Sequence, residues 1–200
     1  VGEALTVLVA EDEALIRMDL VETLTELGFD VVAAVGDGRS AVETVAKTRP
    51  QLALLDVKMP DMDGLTAASQ IIELKSTAVV MLTAFSQPEL VQRAVAAGAM
   101  GYLVKPFKPE ELRAALTVAW QRYSQLLVEQ QRSRDLEQSL ADRKTIERAR
   151  GLVQQRLSIS EQDAYTWLRS AAMDQRLSLA EVARRTLQAA SHDVDADSDT

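Results

Sequence analysis

The hydrophobic pattern of this chain changes character near residue 110. Before it, short apolar runs at Leu5–Ala10, Val31–Val35, Leu52–Leu55, Val79–Leu82 and Tyr102–Val104 alternate with longer amphipathic stretches such as Ala14–Leu27 and Glu89–Ala97. The runs are rich in Val and Leu, the pattern of strands covered on both faces. Gly28 and Gly98 stand where helix C-caps belong. Five strands alternating with helices predict a doubly wound parallel sheet, and such sheets bind ligands at the carboxyl ends of their strands.

After Glu110 the pattern is helical. Leu116, Trp120, Tyr123 and Leu127 follow a 4-3-4 spacing that suits a coiled-coil seam. That register fails at Gln130 and Arg134, and a shifted one resumes at Leu136 and Leu140. Residues 110–140 therefore read either as a dimerising helix or as the last helix of the first domain plus a solvated linker. Residues 141–190 form a three-helix pattern. The first helix runs to about Leu157, Ser160 with Asp163 caps a second through Ala171, and Ser178 with Glu181 makes a capping box for a third ending near Ala190. The division expected is 1–122, 123–140, 141–190, and a disordered acidic tail at 191–200.

Composition sharpens this division. All five prolines fall at or before Pro109, and seven of eight glycines at or before Gly101, so turns are concentrated in the first part. The absence of cysteine excludes disulfides, thiolate metal sites and cysteine catalysis. The only histidine, His192, lies near the end of the sequence, which argues against a serine–histidine triad. No apolar run approaches the ~18–20 residues of a membrane span, so a cytoplasmic protein without membrane contact is the default expectation. Net charge is −8, but residues 121–190 carry 12 basic against 9 acidic side chains. That local excess keeps a nucleic-acid partner open.

The chemistry-bearing residues fall at the strand ends. Glu11 and Asp12 follow the first strand, Asp56 ends the third, Thr83 ends the fourth, and Lys105 follows the fifth. Each alone reads as a turn former or helix cap. Together, on one edge of a parallel sheet, the carboxylates would repel unless a cation joined them, and an all-oxygen donor set suits Mg²⁺. A lysine and a hydroxyl opposite the metal would complete a site for a phosphoryl group.

The order Leu8-Val9-Ala10-Glu11-Asp12, Leu54-Leu55-Asp56-Val57-Lys58-Met59-Pro60, Gly64, Leu82-Thr83-Ala84 and Tyr102-Leu103-Val104-Lys105-Pro106-Phe107 resembles the receiver domain of two-component response regulators over roughly residues 4–122. The resemblance implies a flavodoxin-like fold with strand order 2-1-3-4-5. It makes Asp56 the phosphoacceptor, supplied by a cognate sensor histidine kinase. It implies that Asp12, Asp56 and the Lys58 carbonyl bind Mg²⁺, with Glu11 acting through water. Lys105 would pair with phosphoryl oxygens, Thr83 would be the switch hydroxyl, and Tyr102 the aromatic that turns with it. Ala84 would leave access to the phosphoryl group, and Lys105-Pro106 would be cis. The implied role is that of a phosphoacceptor with at most self-dephosphorylation. An aspartate-dependent phosphotransferase is disfavoured, because Asp56-Val57-Lys58 lacks the second Asp two residues on.

Ile146-Glu147-Arg148-Ala149-Arg150-Gly151-Leu152, Ala164-Tyr165, Leu168-Arg169-Ser170-Ala171-Ala172-Met173-Asp174 and Leu177-Ser178-Leu179-Ala180-Glu181-Val182-Ala183 resemble an ANTAR domain, the three-helix RNA-binding module of antitermination regulators. The whole chain is thereby similar to antitermination response regulators. The implied partner is paired-hairpin RNA in nascent transcripts, with a homodimer as the active form. Arg148, Arg150, Gly151, Arg156, Tyr165, Arg169 and Ser170 are the candidate RNA-binding residues. For each arginine a solvated helix face is the competing reading. Tyr165 and Trp167, two apart on a helix, should divide between core and surface. Two alternatives remain: a DNA-binding regulator, and one whose helical output binds a protein. A helix-turn-helix needs a 3–4-residue turn, and the expected break from Ala172 to Ser178 is longer.

Overall fold

The computed structural model describes residues 4–84 and 88–196. The chain divides into two compact units, Val1–Leu127 and Val128–Thr200. In the first, β1 (Thr6–Ala10), β2 (Asp30–Val35), β3 (Leu52–Asp56), β4 (Ala78–Thr83) and β5 (Gly101–Val104) alternate with α1 (Ala14–Glu26), α2 (Gly38–Thr48), α3 (Gly64–Glu73) and α4 (Pro88–Ala96). α5 (Pro109–Leu157) begins in this unit. All strand pairs are parallel, in the order β2-β1-β3-β4-β5.

Period-two alternation sends the strand residues to two cores. Val7, Val9, Leu52, Leu54, Val80 and Leu82 pack with Leu20 and Leu24 of α1 and with Leu112, Leu116, Ala119 and Tyr123 of α5. Leu8, Ala10, Ala53, Leu55, Val79 and Met81 pack with Ala41 and Val45 of α2, Leu65 and Ile71 of α3, and Ala94 of α4. Helix entry is fixed by side chains: Asp37 accepts from the Ser40 amide at 2.8 Å, and Asp63 from the Thr66 amide at 2.7 Å. Gly28 and Gly98 follow α1 and α4 with φ of 85° and 92°.

This packing settles one alternative. Leu116, Trp120 and Tyr123 are not a dimer seam. They face the sheet, Leu116 and Tyr123 as buried core and Trp120 against it, because the helix stripe that covers the sheet has the same 3-4 spacing as a seam. Exposed apolar positions of α5 are Val118, on another side of the helix, and then Leu126, Leu127, Val128, Leu136 and Leu140.

The helical linker expected over 123–140 and the first helix of the second unit are one continuous helix. α5 runs on to Leu157, with no proline or glycine between Pro109 and Gly151 to stop it. α6 (Glu161–Gln175) and α7 (Leu179–Ala196) follow. Ala149, Val153, Ala164, Leu168, Ala172, Val182 and Ala183 make a small alanine-rich core. Ser160 accepts from the Asp163 amide at 3.1 Å. Ser178 and Glu181 form the capping box reciprocally: the Ser178 amide donates to Glu181 Oε2 at 2.8 Å, and the Glu181 amide to Ser178 Oγ at 3.2 Å. Two expectations are corrected. α6 continues to Gln175, so only Arg176-Leu177-Ser178 separates it from α7, a length compatible with a helix-turn-helix. α7 continues to Ala196 rather than ending near Ala190, since no helix breaker intervenes; residues 197–200 of the expected acidic tail lie outside the described residues.

Candidate functional site

The parallel sheet delivers its polar strand ends to one edge. Glu11 is 1% exposed and Asp56 7%, while Asp12 is exposed beside them. Carboxylate oxygens of all three lie within 4.8 Å of one another. Lys105 Nζ reaches into this cluster, 2.5 Å from Glu11 Oε2 and 2.6 Å from Asp56 Oδ1. The second Asp56 oxygen, Oδ2, accepts from the Lys58 amide at 2.7 Å. Burial pushes the Glu11 carboxyl above its ordinary value, more than the Lys105 ammonium can offset. Burial pulls Lys105 the other way, but its bonds to Asp56 and Glu11 win and hold it above the usual lysine range.

Three carboxylates against one ammonium leave negative charge in a partly buried site. Their hard oxygen donors fit a divalent cation such as Mg²⁺. Both Asp56 oxygens are held in place, Oδ1 by the Lys105 ammonium and Oδ2 by a backbone amide. The turn that carries Asp56 is closed by Gly64, whose amide donates to the Val57 carbonyl at 3.0 Å.

The remaining expected residues of the pocket are placed as follows. Thr83 is buried at the end of β4, and its carbonyl accepts from the Lys105 amide at 2.8 Å. Ala84 is exposed. Tyr102 stands 46% exposed, turned outward. The Lys105-Pro106 bond is cis. Lys105 engages the two carboxylates themselves. Arg17, which sequence reasoning missed, donates through Nη1 to the carbonyls of Glu11 at 2.5 Å and Asp12 at 3.2 Å.

In the second unit, the expected residues do not form one cluster. Arg150 is tied to Glu147 at 2.5 Å and to Glu161 of α6 at 2.7 Å. With Ser160, Glu161, Gln162 and Tyr165 it lines an open polar recess. Arg148 and Arg156 are exposed on α5, Arg169 and Ser170 on α6. Tyr165 and Trp167 are 41% and 45% exposed, so neither is core, contrary to expectation. Ala164, Leu168 and Ala172 already fill the buried stripe, and the two aromatics flank it. A β-carbon on Gly151 would meet nothing within 4 Å. Packing inside this unit therefore does not explain the glycine.

No helix among the described residues is long and apolar enough to cross a membrane. Residues 7–117 match the response regulator receiver domain, and residues 134–187 match the ANTAR domain. The chain is 46% identical over 182 residues to the transcriptional regulatory protein PdtaR of Mycobacterium tuberculosis, covering 91% of this chain and 89% of that one. It is 36% identical to the chemotaxis protein CheY of Bacillus subtilis over 55% of this chain and 92% of CheY. Among solved structures, the chemotaxis protein CheY4 of Vibrio cholerae matches with a TM-score of 0.54 and 36% identity, over 57% of this chain and 97% of that one. The chain belongs to the response regulators of two-component signalling, with a receiver domain followed by an ANTAR output domain.

Proposed function

We propose that this protein is a phosphorylation-controlled RNA-binding regulator that acts by transcription antitermination. A carboxylate oxygen of Asp56 attacks the phosphorus of a phosphohistidine on a sensor kinase. The oxygen–phosphorus bond forms, the nitrogen–phosphorus bond breaks, and the imidazole leaves. Asp12, Asp56 and the Lys58 carbonyl, with Glu11 through water, would hold Mg²⁺, which would supply positive charge against the transferring phosphoryl group. Lys105 exchanges its carboxylate contacts for phosphoryl oxygens. Thr83 turns toward the new group, and Tyr102, now outward, moves into the space.

The output is hairpin RNA whose unpaired loop bases are the readable part. The observation that carries this reading is the ANTAR match over residues 134–187, joined to a basic, aromatic-bearing surface. Tyr165 offers a stacking face beside Arg150 in one recess, and Arg148, Arg156, Arg169 and Ser170 add donors. Gly151 costs a helix interior about 1 kcal/mol relative to alanine, and its open surroundings suit close approach of an RNA backbone. Two hairpins call for two reading units, so the active form is a homodimer, for which Leu126, Leu127, Leu136 and Leu140 supply exposed apolar surface.

A second reading, duplex DNA, is favoured by one observation, the three-residue break between α6 and α7. Fluorescence anisotropy of a labelled paired-hairpin RNA, competed with unlabelled duplex DNA and with single-hairpin RNA, separates the two. Hairpin RNA resists DNA competition under the leading reading, and DNA displaces it under the second. Absence of both affinities points to a protein partner.

A further inference from the structure

We propose that Arg17 is a positioning residue for the cation-binding loop, an inference that rests on reading the acidic pocket as a Mg²⁺ site. Its guanidinium, on the first turns of α1, donates to the carbonyls of Glu11 and Asp12 at 2.5 and 3.2 Å. These are the two residues that bring carboxylates to the pocket from β1. Nη1 also lies where a β-carbon on Gly36 would approach to 3.3 Å, so the guanidinium sits between the loops that follow β1 and β2.

The other side-chain contacts on this loop are of a different kind. Lys105 and the Glu13 amide both engage the Glu11 carboxylate. A cation drawn to that carboxylate competes with them for the same oxygens. The Arg17 bonds end on backbone carbonyls, so they persist when the carboxylates turn to a metal. A single charged –NH2 group, Nη1, donates to both successive carbonyls, so its position ties the two residues together. Arg17 therefore fixes the backbone of Asp12, an exposed residue whose carboxylate faces those of Glu11 and Asp56. Residues that orient metal ligands typically govern affinity by about 10–100-fold.

The test is calorimetric titration of the full chain with Mg²⁺ alone, for wild type, Arg17→Met, Arg17→Lys and Asp12→Asn. Urea melts in Mg²⁺-free buffer accompany each. Wild type is expected to bind Mg²⁺ and Asp12→Asn to lose it; if wild type binds none, the pocket reading fails and the inference with it. With wild-type binding intact, Arg17→Met is expected to weaken Mg²⁺ about tenfold while its Mg²⁺-free melt stays close to wild type. Arg17→Lys should fall between the two. Wild-type affinity in Arg17→Met overturns the proposal. Should Arg17→Met fail to fold, Arg17→Lys decides: intermediate affinity supports the role, and wild-type affinity overturns it.

Discussion

The carbonyl oxygen of Asp56 faces Gly64 so closely that a β-carbon there would sit 1.8 Å from it. The end of β3 and the start of α3 thus touch backbone to backbone. Any side chain at position 64 must displace the turn that carries Asp56. Gly64→Ala is expected to destabilise the first unit at the upper end of the about 1–3 kcal/mol typical of overpacked cores. It should also impair phosphorylation, because Asp56 moves with its turn. Urea denaturation and phosphoryl incorporation read the two effects.

Asp56→Asn keeps the shape of the pocket and removes the nucleophile. It is expected to retain the wild-type circular dichroism spectrum and to take up no phosphoryl group from an active kinase. Stable incorporation at an ordinary level would move the acceptor to another residue.

The raised pKa of Glu11 has a consequence for stability against pH. A group whose carboxyl is raised on folding favours the fold while protonated, and that contribution is lost as pH rises from the ordinary glutamate range through the raised value. Above that window the burial of the Glu11 carboxylate opposes folding, despite its bond to Lys105. Glu11→Gln is expected to raise the thermal midpoint of the Mg²⁺-free protein above that window, and to shrink the further rise that Mg²⁺ produces. A lower midpoint in Mg²⁺-free buffer would show that the bond to Lys105 outweighs burial.

Arg150 has two candidate roles, and its bond to Glu161 allows them to be separated. Exposed ion pairs contribute about 0–1 kcal/mol, so Arg150→Ala should change stability little. Under the RNA-contact role it weakens hairpin binding several-fold, whereas Glu161→Gln, which removes the ion pair to α6 and keeps that to Glu147, leaves binding unchanged or tighter. If both variants weaken binding equally, Arg150 acts by joining α5 to α6.

The first unit was legible because four of its five strands end on or next to a candidate pocket residue. Val and Leu runs fix the sheet, and a parallel sheet sends Glu11, Asp56, Thr83 and Lys105 to one edge whatever the helices do. Arg17 was not legible, because its donors meet backbone carbonyls, which leave no trace in side-chain pattern; a basic residue one turn after an acidic pair is the only signal. Leu116 to Tyr123 left two readings open, since a helix stripe over a sheet and a dimer seam share a period. The length of α6 was misjudged at Ala172 because Met173-Asp174-Gln175 carries no core position, although it continues the helix. Trp167 shows the same limit: in a core built of alanines, size does not predict burial.

The central claim is that the state of Asp56 governs RNA binding. Its most direct test is titration of the full chain with paired-hairpin RNA, unmodified and after treatment with beryllofluoride and Mg²⁺, with Asp56→Asn treated in parallel. The expected result is tighter binding in the treated wild type and no change in Asp56→Asn. Equal affinity in treated and untreated wild type, with beryllofluoride bound, would contradict it.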